Sequence, residues 1–291
     1  MSHPNRVFLS MLTFSLWCVF AVAGFAYVNV QDYGAVGNGL NDDTSAIQSA
    51  LSTGQPVYFP RTSAHYSISS GLTYQGHQII SDGATIKATA ASFNLLTING
   101  VVGLYVGDLR LEYPSEQTTL NYSYHPLYVT NCSDIIIERV ILKNGGALSF
   151  DYCTDGVIRK CQSLSSAYMA FFLTRSNYIL VENCYAEKNI ASFRTEQSYN
   201  IHFRNNSTED SEMGIRIEDT INAVVENNLL RHCIAAIKLY GPESGFNYPT
   251  SNITVAGNTF YNCYKRVNYE KDTASAAYEY ANQICEYTMS T

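Results

Sequence analysis

The chain has 291 residues, and 18 Lys and Arg against 25 Asp and Glu leave it a formal net charge of −7. That balance lacks the basic footprint a phosphate backbone requires, which argues against a nucleic-acid partner. Charged residues make up only 15% while Tyr alone reaches 23 copies, a neutral-polar and aromatic composition suited to handling sugars.

Residues 1–26 read as a secretory signal peptide, with Arg6 as the positive start, an apolar core over 7–23 and a small-residue cleavage site ending at Ala26. Cleavage there predicts a secreted, extracellular protein, because no other stretch is long enough to span a bilayer. Residues 27–92 read as a cap and opening strands. In the run YVNVQDYGAVGNGLNDDTSAIQSAL (27–51), Gly34, Gly37 and Gly39 punctuate a strand-to-loop passage. Asp42 or Asp43 then caps a short helix whose apolar face is Ala46, Ile47, Ala50 and Leu51. A small amphipathic helix of this kind closes the open end of a solenoid.

Residues 93–263 carry the solenoid itself. The segments SDIIIE (133–138), TDGVIR (154–159), NYILVE (177–182), YNIHFR (199–204), INAVVE (221–226) and SNITVA (251–256) recur with a stride of about 22 residues, the signature of stacked coils. Each alternates apolar and polar residues, so the coils are β. Parallel strands about 4.8 Å apart turn equivalent residues into columns. One outward column, Glu138, Arg159, Glu182, Arg204, Glu226, alternates in sign and reads as a structural salt ladder. Asn206, Asn228 and Asn258 form a turn column of mutually bonded amides. Cys132 with Cys153, Cys161 with Cys184, and Cys233 with Cys263 share columns too, close enough for disulfides in an exported protein or for stacked free thiols; Cys285 is left over. Residues 264–291 read as a C-terminal cap, with a helix over 275–284.

The first strand of each coil carries the candidate site. One column stacks Arg194, Arg216 and Lys238; the next stacks Asp151, Thr174, Glu196 and Glu218, ending at Tyr240. Like charges opposed across strands are unfavourable, so this face reads as kept for a ligand, with solvated surface charge as the plainer alternative. Insertions over 112–125 and 241–250 flank it with Tyr113, Tyr122, Tyr124, Phe246 and Tyr248, flat walls for sugar rings, and Phe172 points outward as a stacking platform. Glu196 and Glu218 fall about 5 Å apart, the spacing of a retaining glycosidase pair, and Asp151 about 10 Å from Glu196, near the inverting limit. The Arg column favours ionised carboxylates, which opposes the raised pKa an acid catalyst needs. β-Elimination on a uronic-acid polymer is the other chemistry: Arg194, Arg216 and Lys238 bind the sugar carboxylate and steady the enolate, and Lys238 or Tyr240 takes the proton. The carboxylates could then hold Ca²⁺ through oxygen ligands. His125, His202 and His232 fall on different faces and read as structural, His125 being nearest the groove.

The run over 27–51 resembles the N-terminal signature, FGAxGDGxxDDTxAIQxAI, of the pectate-lyase/rhamnogalacturonase-like β-helix superfamily, with Asn38 where that family usually has Asp. The stretches 56–68 and 83–88 resemble its opening strands. The resemblance implies a right-handed parallel β-helix acting on polysaccharide, an opening shared by hydrolases, lyases, epimerases and phage-tailspike depolymerases. Gly214-Ile215-Arg216-Ile217-Glu218 resembles the Gly-x-Arg-Ile-Lys segment of polygalacturonases; Arg216 matches a substrate-binding Arg there, Glu218 replaces the Lys, and no Asn-Thr-Asp or Gly-His-Gly motif precedes it. The expectation is thus an all-β, single-domain, secreted parallel β-helix that cleaves an acidic extracellular polysaccharide, with elimination ahead of hydrolysis and a non-catalytic adhesin or spike component as the competing class. Arg216, Glu218, Glu196, Lys238 and Asp151 are its catalytic candidates; Arg194, Tyr240, Phe172, Tyr124 and Tyr248 are its substrate contacts.

Overall fold

The structure, a computed structural model, describes residues 27–116, 124–166, 168–240 and 250–270. The signal peptide, the helix over 275–284, Tyr122, Phe246 and Tyr248 lie outside the described residues. The strands form three parallel sheets of ten, nine and nine strands, and from Val57–Phe59 onward successive strands of the chain go to different sheets. Each strand pairs with its equivalent one coil on, which makes a β-solenoid of about eight coils. The site sheet runs from Leu72–Tyr74 to Lys265–Glu270, the ladder sheet from Val28–Asn29 to Ser251–Ala256, and the third sheet from Tyr66–Ile68 to Thr259–Tyr261.

Register is in step throughout. Leu127, Leu148, Phe171, Phe193, Ile215 and Ile237 are successive partners on the site sheet and all are buried. Phe171 and Phe193 stack with centroids 5.0 Å apart and planes 5° from parallel. The coils start earlier and end later than the six-residue repeat marks them. Val57–Phe59, Tyr66–Ile68 and Leu72–Tyr74 already belong to the three sheets, and Lys265–Glu270 pairs with Ala235–Tyr240 beyond the expected 263/264 boundary. The opening coils build the same three-sided path from three-residue strands, too short to show a period.

Corners explain much of the Asn content. Each coil turns through residues with positive φ, among them Asn131, Tyr152, Arg175, Gln197 and Asp219 after the site strands, and Arg139, Lys160, Asn183, Asn205 and Asn227 after the ladder strands. Asn tolerates that left-handed conformation better than most residues. The next residue folds its side chain back onto the carbonyl two positions earlier: Cys132 Sγ donates to Thr130 O at 3.2 Å, Ser176 Oγ to Thr174 O at 2.8 Å, Ser198 Oγ to Glu196 O at 2.8 Å and Thr220 Oγ1 to Glu218 O at 2.7 Å. Cys161, Cys184 and Cys233 do the same at their corners. This corrects the disulfide alternative: the six described cysteines are free thiols, standing in for a small hydroxyl at a corner. The Asn column is as expected, with Asn228 Oδ1 accepting from Asn206 N and Asn258 Oδ1 from Asn228 N, both at 2.9 Å.

At the capped end, helix Thr44–Leu51 buries Ile47, Ala50 and Leu51. Asp42 serves its first turn, accepting from Thr44 N at 3.0 Å, and also takes the Ser69 hydroxyl at 2.5 Å. Asp43 has a different job: its carboxylate accepts from the N–H groups of Val36, Gly37 and Ser67 at 2.7, 3.1 and 3.3 Å, pinning the glycine loop to the first coil. Gly37, at φ +66°, leaves no room for a β-carbon, which would lie 2.5 Å from the Thr62 methyl. On the ladder sheet Arg159 reaches Glu138 at 2.7 Å and Arg204 reaches Glu182 at 2.9 Å, whereas Glu226 pairs with His202 at 2.9 Å.

Candidate functional site

Four six-residue strands, Met169–Thr174, Ala191–Glu196, Met213–Glu218 and Ala235–Tyr240, carry the face. Alternation sends Phe171, Phe193, Ile215 and Ile237 inward, so the residues between them face out. Phe172, Arg194, Arg216 and Lys238 are consecutive partners, as are Asp151, Thr174, Glu196 and Glu218. The cation and anion columns therefore stand side by side.

Their partners are largely one another. Arg194 is 7% exposed. One guanidinium nitrogen donates to Glu196 at 2.7 Å and to Glu218 at 2.9 Å, and another to the Tyr168 hydroxyl at 3.0 Å. Arg216 donates to Glu218 from Nε at 2.9 Å and from Nη2 at 2.8 Å. Its guanidinium lies 4.2 Å above the Tyr240 ring, which also has Lys238 Nζ at 4.5 Å. Glu218, with its side chain 2% exposed, is an internal anchor for two guanidiniums; the Glu196 side chain is 20% exposed. Burial raises the Glu196 carboxyl above its ordinary value; Arg194 opposes that shift and Glu218 reinforces it.

Asp151 is buried on the same sheet but belongs to another cluster. Arg175 grips both its oxygens at 2.8 Å and the Tyr128 hydroxyl donates to it at 2.9 Å. The Arg175 guanidinium also lies 4.3 Å over the ring of Tyr152. Sequence reasoning missed Arg175, Tyr128 and Tyr168. Arg175 sits at a corner one residue past the columns that were read, in line with Tyr152 and Gln197, and that alignment was the available signal.

The aromatic contacts divide. Tyr113 is core rather than wall: it is 1% exposed and its hydroxyl donates to Phe93 O at 2.8 Å, because it follows the three-residue strand Arg110–Glu112 at an inward turn. Phe172 is half-buried, with the Arg194 guanidinium 5.1 Å over its ring, so it is not an open platform. Tyr124 is half-buried at the edge of the face, and Tyr240 is half-buried beneath Arg216 and Lys238. Met169, Ala191, Met213 and Ala235 add an apolar shelf against which Phe172 and Tyr240 pack. His125 is buried and stacked on Tyr128 at 5.7 Å, its Nδ1 has no hydrogen-bond partner, and burial pushes its pKa down to about 4. His202 pairs with Glu226 and His232 with Asp210 at 3.2 Å, both away from the face. Among the described residues no three His, Cys, Asp or Glu side chains converge as metal ligands, and Glu196 and Glu218 meet at Arg194. That donor set does not fit Ca²⁺.

Parallel coils stacked in register define a β-helix architecture. The chain belongs to the family described as rhamnogalacturonase A/epimerase, pectate lyase-like, whose profile matches residues 27–235. Among solved structures it is similar to the exopolygalacturonase of Thermotoga maritima, with a TM-score of 0.65 and 15% identity over 84% of this chain and 76% of that one. It is similar also to the Streptococcus pneumoniae adhesin PfbA, with a TM-score of 0.62 and 13% identity over 86% and 87% of the respective chains. Among curated proteins it is 23% identical to the pre-neck appendage protein of Bacillus phage B103, over 90% of this chain and 33% of that protein. The chain thus spans about a third of the length of the curated relative it matches. No helix among the described residues is long and apolar enough to cross a membrane.

Proposed function

We propose that the site sheet binds an acidic extracellular polysaccharide and cleaves it by hydrolysis, with Glu196 as the proton donor. One observation carries this reading: Glu196 is a partly open carboxyl whose pKa burial raises, the property an acid catalyst needs. Arg194 and Arg216 are bound to Glu218, which suits them to holding charge in place and leaves Lys238 or Tyr240 as the base an elimination would need. Arg216, Lys238 and Tyr240 present the edge that would meet a uronate. Asp151, two rungs from Glu196 at about 10 Å, stands near inverting separation but has both oxygens held by Arg175, and Glu218 is too enclosed for a nucleophile. Export through residues 1–26 would bring the protein to such a substrate.

A second reading, binding without cleavage, is favoured by one feature: Glu196, Glu218 and Asp151 are all ion-paired, as in a face built for rigidity. Incubation with a panel of uronate polymers, wild type beside Glu196→Gln, separates these readings. The expected result is new reducing ends without an unsaturated, ultraviolet-absorbing product, a loss of at least about 100-fold in Glu196→Gln, and a rate that falls as pH rises through the Glu196 pKa. An unsaturated product would replace hydrolysis by elimination. Binding with neither product would leave the adhesin reading.

A further inference from the structure

The ladder sheet has an outward face that the candidate site does not use. Seven consecutive strands of six residues, from Val102–Gly107 to Ser251–Ala256, stack there in register. Parallel sheets are ordinarily covered on both faces, and a sheet face left to water reads polar. This one does not. Its middle column runs Tyr105, Ile136, Val157, Leu180, His202, Val224, five apolar side chains in six. Ile136 is 36% exposed, and Val102, in the column that leads through Ser133, Thr154, Asn177 and Tyr199 to Ile221, is 71% exposed. A contiguous apolar stripe on an open face marks an interaction surface. Beside it stands the alternating column of Glu138, Arg159, Glu182, Arg204 and Glu226. Its in-chain ion pairs leave the Arg159 and Arg204 side chains 39% and 40% exposed, so each five-donor guanidinium can take a second carboxylate.

We infer that this face is an isologous interface on which a second copy of the chain packs antiparallel. A two-fold axis parallel to the strands, midway between the coils of Arg159 and Glu182, lays every column on its own copy in reverse coil order. Arg159 then meets the partner's Glu182, and Glu138 meets the partner's Arg204. In the apolar column Val157 meets the partner's Leu180 and Tyr105 meets the partner's Val224; His202 on the partner's Ile136 is the mixed pair. Val102 meets the partner's Ile221. An axis through the coil of Glu182 would instead oppose like charges at every coil. Only axes between coils oppose unlike ones, and of the two central choices this one gives Val102 and Tyr105 apolar partners. Six overlapping coils make a face of about 29 by 20 Å per copy, or about 1,200 Å² in total, enough for a specific interface. The site sheet is a separate side of the coil, so the inference stands apart from the activity proposed above.

Sedimentation velocity of the protein from about 1 to about 100 µM tests this, and a monomer–dimer equilibrium is expected within that range. Val157→Lys sets a cation against the partner's Leu180 twice per dimer. It should weaken association at least about tenfold while leaving the melting temperature of the dilute monomer unchanged. Orientation is read separately, with a short bismaleimide crosslinker and the single variants Val102→Cys and Ile221→Cys. These positions lie five coils, about 24 Å, apart within one chain. Antiparallel pairing should give covalent dimers when the two variants are mixed and only the wild-type background with either alone, a result that stands even if Val157→Lys fails to fold. A monomer at every concentration overturns the proposal. So does association unchanged in a folded Val157→Lys, or a crosslink as strong in either single variant as in the mixture.

Discussion

Glu218 and His125 show how a side chain's surroundings set what it can do. Two guanidiniums close on Glu218, so truncating it takes one of two carboxylates from Arg194, which is 7% exposed, and removes the carboxylate that Arg216 holds with two nitrogens. Glu218→Ala should cost about 3–5 kcal/mol in denaturant unfolding, the scale of a broken buried pair, with Glu218→Gln intermediate. A loss under about 1 kcal/mol would mean that Glu218 is not the anchor. His125 is held neutral by burial, its pKa falling from 6.5 to about 4. A lowered histidine gives stability that is present above its unfolded value and lost as pH drops through the folded value. The window is therefore pH 6.5 down to about 4. His125→Phe, which keeps the ring on Tyr128, should flatten the acid limb of the stability curve by about 3 kcal/mol, read from unfolding midpoints across that range.

The corners give a sharper lesson than the strands. Asn228 accepts from Asn206 N and donates to Phe203 O at 3.0 Å and to Asn258 at 2.9 Å, so one amide ties three coils together. Asn228→Ala should destabilise by about 2–3 kcal/mol, because it leaves a buried N–H and a buried carbonyl unmatched; a solvent-facing amide such as Asn252 should cost a few tenths under the same denaturant titration. Strand columns were legible in the sequence because alternation fixes which side chains face out and coil register fixes who stands beside whom. Arg194, Arg216 and Lys238 fell into line for that reason. Corners were legible only at the Asn206, Asn228 and Asn258 column, since the left-handed residue is Asn in one coil and Tyr, Arg or Lys in another, with no shared chemistry to recognise. The diagonal from Arg194 to Glu218, the Tyr168 hydroxyl and the Arg175 clamp on Asp151 depend on rotamers and on neighbours outside the column. Periodicity shows which side chains share a face and stays silent on which of them will spend their charge on each other.

Charge and length are both distributed along the solenoid with a pattern. On the site sheet Arg194 and Arg216 are balanced by Glu196 and Glu218. Departures from the 22-residue stride occur before Leu127–Thr130 and between Ala235–Tyr240 and Ser251–Ala256, so each adjoins an end of a site-sheet strand in the sequence. The corner backbone adds a last consequence. Left-handed residues there do not leave their amides to water: Asn131 N donates to Asp151 O at 3.0 Å, Lys160 N to Glu182 O at 3.2 Å and Lys188 N to Glu209 O at 3.1 Å, each reaching the coil beyond. Deuterium labelling should therefore find bends as slow to exchange as the strands they join, and a protein whose apparent loops resist solvent as stubbornly as its sheets will open only by shedding whole turns from an end.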